Sequence, residues 1–322
     1  MKKMNKLIYL GLMLIGVLTF SCTKEGPAGA DGQDAITLCI QCHTEANMQA
    51  IDLQYEESGH GIGANVAYAG GRNGCAMCHS NEGFIETQKT GMDTTAADIP
   101  IPTRISCETC HSGTHRSFDV ENDGNDYALR TTSPVDLQAF NQTLDLGDES
   151  NLCANCHQPR TAPPTPDNDG NFYVSSTHYG PHHGPHSTVL AGIGGYTFGT
   201  VVNSEVHASA GATCITCHMN EGDHKWEPSL DACKTCHTDA ASFDLGGKQT
   251  EINGLISSLK SALIDKGLLD DAGHPVKGTF PVAQAGALYN YEMIVDDRSA
   301  GVHNYPFIKD LLDASIAALA AQ

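Results

Sequence analysis

The stretch CITCHMNEGDHKWEPSLDACKTCH, residues 214–237, decides how this chain is read. It holds two C-x-x-C-H strings, Cys214, Cys217, His218 and Cys233, Cys236, His237, with His224 between them. Working outward, the same spacing recurs at Cys39, Cys42, His43 and at Cys75, Cys78, His79. It returns at Cys107, Cys110, His111 and at Cys153, Cys156, His157. Twelve of the 13 cysteines are consumed, and Cys22 alone stands apart. Positions i, i+3 and i+4 share one face of a helical turn, so each string presents two thiols and an imidazole together.

That presentation suits the two vinyl groups of a haem, which take up the thiols while the adjacent histidine binds the iron. Zinc ribbons also use C-x-x-C pairs but need no histidine after every second cysteine. Disulfide frameworks give no reason for a uniform spacing, and a redox C-x-x-C centre uses one pair. Six haem c groups are therefore expected, with His43, His79, His111, His157, His218 and His237 as proximal ligands.

Each iron has a second face. Ten of the 16 histidines remain, which is enough for full bis-histidine ligation without a methionine ligand. Position in the sequence selects His60, His115, His207, His224 and His303, plus one from the cluster HYGPHHGPH at 178–186, where His183 or His182 is favoured. His224 stands in a segment short enough to keep it beside the fifth or sixth motif. His274, in an Asp-Ala-Gly-His-Pro turn, reads as a loop residue.

The stretch 207–237 resembles the multihaem cytochrome superfamily that includes the ammonia-forming nitrite reductases. The runs GPHHGP at 180–185 and DRSAGVHN at 297–304 are similar to segments of the same superfamily. The resemblance implies that His207, His224 and His303 are distal ligands to haems other than their nearest. Those reductases hold their catalytic haem on a motif ending in lysine, whereas all six motifs here end in histidine. Nitrite reduction is therefore not carried over.

Charge narrows the partners. Lys+Arg is 18 against Asp+Glu 38, a formal charge of −20, which excludes nucleic acid. Residues 1–21 carry Lys2, Lys3 and Lys6 ahead of an apolar run from Leu7 to Phe20, an export signal too short to span a bilayer. Cys22 follows Ser21, where a lipoprotein signal places its acylated cysteine; a plain secretory signal is the alternative. Cleavage removes three lysines and no acid, taking −20 to −23. Three Gly-x-y triplets at 26–34 are too few for a triple helix and read as a tether over 22–35.

The expected fold is mainly α with extensive coil: a multihaem cytochrome domain over 36–240 packed around covalently bound haems. A helical segment over 241–322 packs on it. Thr161–Ser176, rich in proline, reads as a surface loop. In the tail, Ile252, Leu255, Ile256, Leu259 and Leu263 recur at helical spacing up to Gly267. A second helix is expected near 282–294, and a third begins after Asn304 with Pro306 in its first turn. Electron transfer at the outer membrane or cell surface follows, with other redox proteins or extracellular acceptors as partners and the lipid as membrane contact. A reductase of a small nitrogen or sulfur oxyanion with one open haem, or a subunit of a cytochrome filament, are the alternatives.

Overall fold

A computed structural model describes residue 39, residues 42–199 and residues 206–321. The expected export signal, Cys22 and the expected tether lie outside the described residues. Chain contacts divide into two units, one ending at Asp52 and one running from Leu53. The first unit holds the first motif, whose Cys39 and Cys42 are both exposed.

The described chain is mainly helical with extensive coil, as expected. Five helices reach ten residues or more: α1 (Glu45–Glu57), α2 (Asn81–Thr90), α3 (Lys248–Asp265), α4 (Val282–Asp297) and α5 (Tyr305–Ala320). Among the described residues, sheet is confined to two antiparallel pairs. β1 (Val135–Asp136) pairs with β2 (Thr143–Leu144), and β3 (Asn171–Val174) pairs with β4 (Gly278–Pro281). β3 lies inside the stretch expected to be a surface loop. The proline-rich half, up to Pro166, is irregular, but Phe172, Tyr173 and Val174 suit a strand, and Val174 is wholly buried.

The three tail helices carry the main core. Ile252, Leu259 and Leu263 of α3 are buried against α4, together with Phe307, Ile308, Leu311 and Leu312 of α5. Here the 3.6-residue period and the observed packing agree. Each helix end has a local cause. Asn304 caps α5, its side chain accepting from the Phe307 N–H at 3.3 Å with Pro306 in the first turn. Gly267 takes φ +72 just beyond α3. Lining the core are Phe172 and Tyr179, which belong to the segment between the fourth and fifth motifs, so the tail and that segment share one apolar interior.

The motifs themselves fall on single helical turns. The N–H of His111 donates to the Cys107 carbonyl at 2.8 Å, His157 to Cys153 at 3.0 Å and His237 to Cys233 at 2.8 Å. In the first unit, His43 donates to Cys39 at 2.9 Å. This i to i−4 bond aligns two sulfurs and one imidazole. The turn of the second motif rests directly on α2. A Cβ at Gly83 would lie 2.2 Å from the Ala76 carbonyl oxygen, so only glycine admits this contact.

Candidate functional site

Five motif histidines each face a second histidine at nearly one distance. The ring centroids of His79 and His182 are 6.4 Å apart, as are those of His111 and His224 and of His207 and His237. His218 and His303 are 6.3 Å apart, and His60 and His157 are 6.1 Å apart. An iron between two imidazoles, with metal–nitrogen bonds of about 2.0 Å and roughly 1.2 Å from each nitrogen to its ring centre, separates the centroids by about 6.4 Å. The interplanar angles range from 29° to 86°, as rotation about a shared axis allows. Among the described residues no group of three or more His, Cys, Asp or Glu converges on one point to hold a metal ion. The five facing pairs suit a porphyrin between each, and His186 stands as an extra ring beside His157 and His303, 5.0 and 6.0 Å between centroids.

The second ring nitrogen supports the same reading. The Nδ1 of His111 lies 2.7 Å from the Tyr127 carbonyl oxygen, and that of His218 lies 2.8 Å from the Trp226 carbonyl. His224 Nδ1 meets the Gly222 carbonyl at 2.8 Å, and His115 Nδ1 meets that of Asp126 at 2.7 Å. A carbonyl can only accept, so Nδ1 carries the proton and Nε2 presents its lone pair. Metal-ligating histidines are oriented in this way.

At several of the paired rings burial favours the neutral form, which is the form a metal takes. Desolvation, joined by the adjacent His186, pulls His157 down to about 3, and desolvation with Arg160 nearby pulls His182 down to about 4. His60, His79 and His224 are lowered chiefly by burial as well. His303 goes the other way: burial lowers it, but the Asp297 carboxylate facing its Nδ1 outweighs burial.

Sequence reasoning and geometry diverge at three histidines. His183 turns outward, its side chain 77% exposed and its Nδ1 3.1 Å from Asp296, while its neighbour His182 faces His79. Adjacent residues cannot aim at one point, and His182 gains its aim from a left-handed backbone at φ +67. His224 faces His111 of the third motif and not the fifth or sixth motif beside it in the sequence. His186, not selected, puts its Nδ1 3.2 Å from that of His157. His274 sits in a turn beside Asp270, as expected.

The motifs also touch one another. The thiols of Cys78 and Cys156 lie close enough to interact, as do those of Cys153 and Cys214. Cys110 lies within electrostatic reach of Cys156, and Cys217 within reach of Cys233 and Cys236. Second to sixth motifs thus form one contiguous cluster.

No family model matches the chain, and no curated protein matches it. Among solved structures, the outer cell wall cytochrome OcwA is similar, with a TM-score of 0.54 over 83% of this chain at 22% identity. The chain shares the fold of a cytochrome. It covers 49% of OcwA, so it spans about half the length of that neighbour. Among the described residues no helix is long and apolar enough to cross a membrane.

Proposed function

We propose that the chain is a hexahaem c-type cytochrome that passes electrons at the outer membrane or cell surface, held there by a lipid on Cys22. Each haem supplies one-electron ferric–ferrous chemistry, and the residues supply spacing, ligation and burial. Numbering the haems by motif, the distal ligands are His182 for haem 2, His224 for haem 3, His60 for haem 4, His303 for haem 5 and His207 for haem 6. Of the two histidines favoured in the 178–186 cluster, His182 replaces His183 as the distal ligand, and His115 is kept as one. The observation that carries this reading is the set of five facing imidazole pairs at 6.1–6.4 Å. Pairs on both faces leave haems 2–6 six-coordinate, which favours transfer over catalysis at an open iron. Two thiol contacts between motifs favour short tunnelling steps. The name of OcwA is in keeping with a surface location.

Intact-mass measurement and low-temperature paramagnetic resonance of the oxidised, exported protein test the proposal. Six covalent haems with low-spin ferric signals are expected. A strong high-spin signal would turn the reading toward a reductase, and bare thiols or bound zinc would end it.

A further inference from the structure

The single tryptophan, Trp226, touches ligands assigned above to three haems. Its indole meets the ring of His60 edge-on, with centroids 4.7 Å apart and planes at 73°. On another side it meets His224 at 5.5 Å and 69°. Its backbone carbonyl, independently, accepts from His218 Nδ1 at 2.8 Å. His60 faces His157, His224 faces His111 and His218 faces His303, so one residue stands against three different pairs.

The backbone is unusual where this happens. Trp226 takes φ +56, a left-handed conformation rare for a bulky side chain and kept only where surroundings dictate it. The approach to it is pinned. The His224 N–H donates to Gln54 Oε1 at 3.1 Å and the Lys225 N–H to Asp223 Oδ1 at 2.9 Å. The left-handed turn lets one residue send its carbonyl toward His218 while its indole wedges between two other imidazoles.

We infer, on the six-haem reading above, that Trp226 is a positioning residue that sets axial ligands of haems 3, 4 and 5 together. The two contacts are separable. The indole fixes the ring planes of His60 and His224. The carbonyl fixes the tautomer and orientation of His218, and so the electron density it lends to its iron.

Three variants of the full-length exported protein test this, with haem count by intact mass, ligand geometry by paramagnetic resonance and potentials by spectroelectrochemistry. Signals are assigned beforehand from His224→Met, His60→Met and His303→Met. Trp226→Gly removes the ring yet tolerates positive φ. It should move the resonance signals of haems 3 and 4 and leave haem 5 in place. Trp226→Val resists positive φ and should also shift the haem 5 reduction equilibrium about tenfold, 59 mV for one electron. Should the glycine variant fail to accumulate, Trp226→Phe carries the test, with a smaller displacement confined to haems 3 and 4. A six-haem Gly or Phe variant with wild-type signals at haems 3 and 4 overturns the inference. Fewer than six haems in the unaltered protein would instead overturn the reading beneath it.

Discussion

His303 and Asp297 meet across the bend between α4 and α5, with Nδ1 2.7 Å from Oδ1. Asp297 is the last residue of α4 and is 1% exposed. Arg298 turns the chain at φ +58, and the Ser299 hydroxyl donates back to Asp297 while accepting from the His303 N–H. Asn304 then reaches the Leu190 carbonyl and starts α5. His303 is therefore held by the ends of two core helices.

A buried carboxylate on Nδ1 makes an imidazole a stronger donor and favours ferric iron. Asp297→Asn keeps the shape and removes the charge. The haem 5 potential should rise by about 60–120 mV, the one-electron equivalent of the 10–100-fold typical of such partners. Spectroelectrochemical titration of both proteins checks this, and superimposable titrations would refute it.

His182 and His183 are neighbours in sequence with opposite surroundings. His182→Ala should open haem 2 and produce one high-spin ferric signal. His183→Ala removes a 77% exposed ring and should leave every iron low-spin. Reversed outcomes would restore His183 as the ligand.

Glu292 lies on α4, with Oε1 buried and unpartnered. Burial, with Asp296 one turn on, raises its carboxyl to about 8. A folded-state value above the unfolded one means that stability is fully present below about 4.5 and is lost as pH rises through 8. The loss should be on the order of 5 kcal/mol. Glu292→Gln should flatten this dependence. Urea unfolding from pH 4 to 9 compares them, and parallel pH curves would remove Glu292 as the cause.

Gly286 sits inside α4, where glycine is a poor choice on propensity alone. A Cβ there would lie 2.3 Å from the Tyr196 ring, whose backbone is clamped to Asn290 from both sides. Gly286→Ala should therefore destabilise by about 1–3 kcal/mol instead of strengthening the helix. A raised urea midpoint would show that the ring moves aside freely.

Much of the fold was legible because its signals are local. The stripe from Ile252 to Leu263, the Asn304 cap and the C-x-x-C-H turns each depend on residues within a turn or two. The partners of the motif histidines were not legible, since the second ring comes from a distant part of the chain, as His60 does for His157. Choosing between His182 and His183 needed the backbone angle, and the Asp297 and Trp226 contacts needed the bends that carry them. β3 was hidden because its partner β4 lies beyond α3 in the sequence.

The thiol contacts of the fourth motif have a consequence for traffic. Cys156 meets the second motif, Cys153 meets the fifth, and Cys110 of the third is close by. On the six-haem proposal such a layout would make a crossroads and not a single file. Silencing haem 2 or haem 3 would then close one arm and spare the rest, whereas silencing haem 4 would split the network into islands.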